Sequence, residues 1–242
     1  MIYDKSMFEG RHETTHESAK TILRLVKSEF PKIDKVLDVG CGVGTFLKAA
    51  REIGINTIQG LDGPWVEDRL LQIPKSNFLK VDLNKLPIIE EKYDLVICLE
   101  VAEHLYEISA EPLIKFLTSH SRLVLFSAAV PGQGGNNHLN EQWQNYWAEI
   151  FSRFGFYPVD LIRPKIWEDP KIPYWYRQNT LIYISGERIK QDGISDALLD
   201  IVHPEMYIKN LDNALTIRKA IKLLPRTILS HGITHLKKVF KF

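Results

Sequence analysis

The chain has 242 residues, 45% hydrophobic and 25% charged, which fits one α/β domain of ordinary globular composition or one domain with a short extension. The net charge of +1 hides an asymmetry: residues 213–242 hold seven Lys and Arg and no acid, so the remainder is net acidic and makes a poor nucleic-acid platform. The two cysteines, Cys41 and Cys98, read as reduced thiols of a cytoplasmic protein; the opening residues lack the apolar run of a signal peptide, and no stretch approaches the roughly 20 apolar residues of a bilayer span.

In chain order, Thr14 and Glu17 have the spacing of a capping box, which predicts a helix from Thr14 to about Phe30 with Ile22, Leu25 and Val26 on one face and Pro31 as the stop. KVLDV (35–39) reads as a buried strand and 45–54 as a helix ended by glycine. A strand is expected at 56–62, a helix at 64–73 opened by Pro64, and strands at 77–82 and 93–100. A helical pair over 101–119, a fifth strand at 122–129 and a helix at 141–154 follow. The last strands fall at 156–163 and 179–185, joined by a Pro- and aromatic-rich segment without a convincing long helix, so the final strand is expected to run antiparallel. The alternation predicts an α/β, doubly wound, Rossmann-like sheet of seven strands with helices on both faces. Residues 1–185 form the expected domain, with 1–30 as an N-terminal lid and helix, and 186–242 form a helical extension.

Two glycine-rich turns stand out. In VLDVGCGVGTF the strand 35–39 runs through Gly40, Cys41, Gly42, Val43 and Gly44 into a helix, where glycines let a ligand approach the backbone and free N–H groups face it. Acids then recur at the carboxyl ends of successive strands: Asp62 is placed to accept ribose hydroxyls, Asp82 to meet an adenine amino group, and Glu100 ends the fourth strand. Thr45 stands where a dinucleotide fingerprint needs its last glycine, and no basic residue follows the turn closely, so a nucleoside without phosphates fits better than NAD.

These strings, with VDLNKLP and YDLVICLEVAEHL, make residues 14–185 resemble a class I S-adenosylmethionine (SAM)-dependent methyltransferase. The resemblance implies a seven-stranded sheet with its last strand antiparallel, and SAM as cofactor with S-adenosylhomocysteine as product. It also implies that Asp38 and Gly40 to Gly44, with Cys41 as a small turn residue, line the methionine and adenosine path. Asp62 would hold the ribose, Asp82 and Leu83 would flank the adenine, and Glu100 would stand at the methyl-transfer side.

The second turn, VPGQGGNNHLNEQW (130–143), leaves the carboxyl end of the fifth strand, where a substrate loop belongs. His138 is the candidate base for deprotonating an alcohol, and His104 is its competitor, expected rather to shape the pocket. Asn136, Asn137, Asn140, Glu141 and Gln142 offer directional hydrogen bonds, and Trp143, Tyr146 and Trp147 share one helical face that fits either acceptor or core. This loop, together with IVHPEMY (201–207), resembles enzymes of sugar and surface-polysaccharide modification. The expected function is O-methylation of a sugar or glycan hydroxyl; methylation of a quinone-like metabolite and a non-catalytic SAM-binding scaffold are the alternatives. No CxxC pair, HExxH or clear metal triad is present, so no metal is expected. Tyr3, Phe8, Arg11 and His12 suit a lid or a docked terminus. The basic tail from residue 213 suits a peripheral contact with an anionic inner-membrane surface, an assembly partner, or packing on the body.

Overall fold

The computed structural model describes residues 12–186 and 198–215. The expected lid residues Tyr3, Phe8 and Arg11, the His12 side chain and the basic tail from residue 216 onward lie outside the described residues.

Seven strands form one sheet in the order β3-β2-β1-β4-β5-β7-β6. They are β1 Lys35–Val39, β2 Thr57–Asp62, β3 Phe78–Lys80, β4 Leu95–Leu99, β5 Leu123–Ser127, β6 Phe156–Val159 and β7 Leu181–Ser185. β7 pairs antiparallel with both β5 and β6, and the other pairs are parallel, as the sequence predicts. Alternate residues feed the two faces. Val36, Leu95 and Ile97 join one core, where helices α1 His12–Glu29 and α2 Thr45–Glu52 pack. Leu37, Val96 and Cys98 join the other, under α3 Ala110–His120 and α4 Gln144–Arg153. Burial on both faces explains why these strands read as unbroken apolar runs.

Strand order reverses between β1 and β4, which makes their carboxyl ends the topological switch point. Gly40 follows one and Glu100 the other, so the motif residues meet there.

Three local expectations are corrected. Thr14 lies inside α1, and its carbonyl accepts the Ser18 hydroxyl at 2.7 Å, so it is not the N-cap. Residues 64–73 do not form a helix; only Asp68–Leu70 makes a 3₁₀ turn. Their backbone donors go elsewhere: Val66 N–H to the Gly63 carbonyl and Gln72 N–H to the Val43 carbonyl at 2.7 Å, which closes the segment over the first glycine turn. The pair at 101–119 becomes two 3₁₀ turns, Ala102–His104 and Glu107–Ser109, before α3.

The segment after β6 holds two short helices, α5 Arg163–Ile166 and α6 Tyr174–Asn179. Buried Arg163 ties residues beyond the sheet to it, donating to the carbonyls of Leu198, Leu199 and Gln178 and to Asp160. Accordingly the first compact unit extends to Ile201. The second begins at Val202 and contains α7 Pro204–Leu215, where the His203 ring accepts the Glu205 N–H at 3.2 Å. Among the described residues no helix is long and apolar enough to cross a membrane.

Candidate active site

The first glycine turn is held by backbone and by packing. The N–H groups of Gly40 and Cys41 both donate to the Leu61 carbonyl, at 2.8 and 3.1 Å, which pins the turn to the end of β2. Gly40 has φ 81°, and a Cβ there would collide with the Val101 side chain. Gly42, with φ 55°, faces open space: nothing lies within 4 Å of where its Cβ would be. Gly44, with φ 86°, is the N-cap of α2 and brings no side chain to cap it.

Asp62 stands across from this opening, 7% exposed. Its carboxylate accepts the N–H groups of Gly42 and Gly63, both at 2.6 Å. Burial raises its pKa, and these hydrogen bonds together with the Trp65 side chain work against that rise. Asp38, 4% exposed, is raised well above the usual range by burial and then by the Asp62 charge. Cys41 and Cys98 are free and buried; burial, then the charge of Asp38, pushes both thiols up, which suits packing rather than redox chemistry.

These groups open onto a cavity of about 340 Å³ lined by Gly40, Gly42, Asp62, Trp65, Asp82, Leu83, Glu100 and His104 among others. Asp82 closes a turn after β3, where its Oδ1 accepts the Asn84 backbone N–H at 3.0 Å. Leu83 is 5% exposed, a buried apolar wall. Glu100 has φ 54°, a left-handed conformation unusual for its type and of the kind found at functional sites. Its N–H donates to the Ser127 carbonyl and hydroxyl. Its carboxylate receives Gln133 Nε2 at 2.8 Å and Asn179 Nδ2 at 3.1 Å. Burial raises its pKa while hydrogen bonds, that of Asn179 first, oppose the shift.

Residues 10–160 match the family described as Methyltransferase domain. The chain belongs to this methyltransferase family. The fold is that of SAM-bound methyltransferases, and the site fits SAM: open backbone at Gly42, a carboxylate at the end of β2, and an apolar wall at Leu83. Among curated relatives, the ribosomal protein L11 methyltransferase of Fusobacterium nucleatum is 24% identical over 127 residues, 48% of this chain and 39% of that protein. The ubiquinone biosynthesis O-methyltransferase of Rickettsia prowazekii is 32% identical over 105 residues, 40% of this chain and 41% of that one. The chain thus spans well under half the length of each of these two relatives. A SAM-bound amino pentose methyltransferase from Micromonospora echinaspora, involved in calicheamicin biosynthesis, superposes with a TM-score of 0.55 at 13% identity, covering 77% of this chain and 98% of that one.

The methyltransferase's second glycine turn is built differently, by a side-chain clasp. Glu141 accepts the N–H groups of Gly132 and Gly134 and pairs with His138 Nδ1, all at 2.8 Å. Glu141, expected as a substrate contact, uses both oxygens in folding the loop. His138 lies edge-on to His104, ring centroids 4.8 Å apart. The His104 Nδ1 meets the Asn137 carbonyl at 3.4 Å, and its pKa is lowered by burial and then by His138. Trp147 is also corrected. It is 1% exposed and packs on Phe126 and Tyr146, so it belongs to the core and cannot touch an acceptor. Trp143 is 42% exposed and Asn137 is exposed with φ 59°; neither lines the cavity.

Four residues of the methyltransferase site escaped the sequence reading. Gln133 and Asn179 fix Glu100 from distant parts of the chain and bond to each other at 2.8 Å. Trp65 lies against Gly63 beside Asp62. Glu103, 1% exposed, has no side-chain partner for its carboxylate; the backbone N–H groups of Glu103 and Ala129 are what favours its charge. Burial, then the Glu100 charge, raises its pKa well above the usual range. A charged residue inside the apolar VAEHL stretch was the one signal available for it. Although the sequence shows no clear metal triad, among the described residues the fold assembles one candidate: Glu103, His104 and His138.

Proposed function

We propose that the domain transfers the methyl group of SAM to a hydroxyl of a sugar or glycan, and that the His104–His138 pair activates that hydroxyl. One observation carries this: His138, its ring held by Glu141 at 2.8 Å, lies against His104, which lines the same cavity as Gly42 and Asp62. SAM, when bound, would supply an electrophilic methyl on sulfonium, the acceptor oxygen replacing sulfur on that methyl and its proton passing to the His104–His138 pair, with S-adenosylhomocysteine as the other product. The chain's own residues bind and orient. Gly40, Gly42 and Gly44 admit the cofactor to the backbone, with Asp38 and Cys41 shaping the turn. The Asp62 carboxylate, fixed by two N–H groups, keeps lone pairs for the ribose hydroxyls. Asp82 and Leu83 flank the base, and Glu100, fixed by Gln133 and Asn179, presents a set carboxylate toward the transfer side. Asn137 and Trp143, exposed on the second loop outside the cavity wall, would meet the outer part of an acceptor that extends beyond the cavity. A polyhydroxyl acceptor suits this set, and the amino pentose methyltransferase shows the same sheet serving a sugar in that protein. A second reading, a quinone-like acceptor, is favoured by the 32% identity to the ubiquinone-pathway relative.

The test is calorimetric titration with S-adenosylhomocysteine and NADH, followed by a screen of glycan and quinol acceptors. Asp62→Ala is expected to weaken S-adenosylhomocysteine about 10–100-fold, as loss of charge-assisted hydrogen bonds does. His138→Ala is expected to cut turnover about 100-fold or more while leaving that affinity within a factor of about two. Preference for NADH would sink the cofactor assignment, turnover of quinols alone would select the second reading, and binding without turnover of any acceptor would make this a scaffold.

A further inference from the structure

At the His104 end of the cavity, the turn after β4 and the loop after β5 bring three metal-binding side chains together. Glu103, His104 and His138 offer ligand atoms that all lie within 4.8 Å of one another. They meet because β4 and β5 are parallel neighbours whose carboxyl ends lie side by side. The loop is stitched to the turn by backbone bonds: Leu139 and Asn140 donate N–H to the Glu103 carbonyl, at 2.7 and 3.0 Å.

Two independent observations point to a cation. The first is the Glu103 carboxylate, 1% exposed with no side-chain partner, only the backbone N–H groups of Glu103 and Ala129 favouring its charge. Leaving such a group uncompensated is costly, and a bound cation is a standard compensation. The second is the way the two rings are held. His138 Nδ1 is bonded to a carboxylate, Glu141, at 2.8 Å, and His104 Nδ1 to a backbone carbonyl, that of Asn137, at 3.4 Å. Metal-ligating histidines are oriented in this manner, one ring nitrogen donating to a carboxylate or carbonyl so that the other presents its lone pair.

We infer that Glu103, His104 and His138 bind a divalent first-row transition ion, through Nε2 of each ring and an oxygen of Glu103. Two imidazoles and one carboxylate suit Zn²⁺, Fe²⁺ or Co²⁺ rather than Ca²⁺ or Mg²⁺. Three protein ligands leave positions open for water or an acceptor oxygen. Cation binding stands apart from the methyl-transfer reading, but its use in activating an acceptor hydroxyl rests on it.

The test uses the full chain stripped with a chelator, titrated with Co²⁺ and followed by its visible spectrum, with Zn²⁺ competition read by calorimetry. One Co²⁺ per chain with bands of nitrogen ligation is expected. Glu103→Gln and His138→Gln are each expected to weaken it more than about 10-fold, and Glu141→Gln, which orients His138, by about 10-fold. S-adenosylhomocysteine titration of the same samples reports that each variant is folded. Two outcomes overturn the site: wild-type protein that binds S-adenosylhomocysteine but no Co²⁺, or Co²⁺ binding that Glu103→Gln and His138→Gln both leave unchanged. Stoichiometric Co²⁺ in protein that takes no S-adenosylhomocysteine would uphold the metal site and overturn the cofactor assignment instead.

Discussion

The two glycine turns of this methyltransferase reach the same end of the sheet by opposite means. The turn at Gly40–Gly44 is fixed by its neighbours in the fold: two N–H groups on the Leu61 carbonyl, and a Val101 side chain that fills the space a Cβ would need. The turn at 130–143 is shaped chiefly from within, by one carboxylate, Glu141, that gathers Gly132, Gly134 and His138, with Leu139 and Asn140 tied to the Glu103 carbonyl. The first is a rigid backbone cradle for a ligand common to the family. The second is a loop gathered by a side-chain clasp and tied to the turn after β4 through the Glu103 carbonyl, and loops on a fixed sheet can vary without disturbing it. On the proposed assignment, the backbone-held turn serves the cofactor and the side-chain clasp serves the acceptor.

Substitutions at the two turns test this contrast. Gly40→Ala is expected to have the larger effect. It forces a Cβ into Val101 at φ 81°, a combined strain of about 3 kcal/mol, so both Tm and S-adenosylhomocysteine affinity fall. The double variant Gly40→Ala/Val101→Ala relieves the collision and leaves the φ strain, so it is expected to recover part of the loss. Full recovery would show that sterics alone set the cradle; none would show that backbone conformation does. Glu141→Gln should act on the other turn only, at a cost of about 1–2 kcal/mol. Amide exchange at Gly132 and Gly134 is expected to quicken, Tm to fall by roughly 2–8 °C and turnover to fall about 10-fold, with cofactor affinity nearly unchanged. A fall in cofactor affinity equal to that of Gly40→Ala would mean the two turns are one unit.

The sequence foretold the first turn better than the second, and the physical reason is range. The cradle is written in consecutive residues, and the acid at the end of β2 is at a spacing fixed by one helix and one strand. The seven strands were legible because burial on both faces leaves unbroken apolar runs, and the antiparallel β7 because no long crossover helix precedes it. The clasp was half legible: Glu141 and His138 were both singled out, but not that they bind each other. Trp147 was left between acceptor and core because helical spacing is the same for a face that packs on Phe126 as for one that meets a ligand. Residues 64–73 have a helix-like opening, yet lose their backbone donors to Gly63 and Val43. The Glu100 carboxylate is held by Gln133 and Asn179, and Glu103 faces His138, contacts between segments that only the folded sheet brings together.

The smallest expected effect falls at Asp38 and bears on why the cradle keeps a cost. Its folded pKa is raised, by burial and then by Asp62, so the native state holds the proton more tightly than the unfolded chain. Below the unfolded value of about 3.9 both states are protonated and no penalty exists. As pH rises, the unfolded chain ionises freely while the native state must either keep its proton or bury a charge, and stability is lost until the raised folded value is passed. Asp38→Asn carries no such charge. It is expected to be more stable than the parent at pH 7 by about 1 kcal/mol, a Tm rise of roughly 2–4 °C, with the gain vanishing toward pH 4. S-adenosylhomocysteine affinity should fall in the same variant. Melting curves from pH 4 to 8 decide the point: a gain that persists at acid pH would trace to packing and not to the carboxylate. A stability gain bought with lost affinity marks Asp38 as held in its buried place by ligand binding, not by folding.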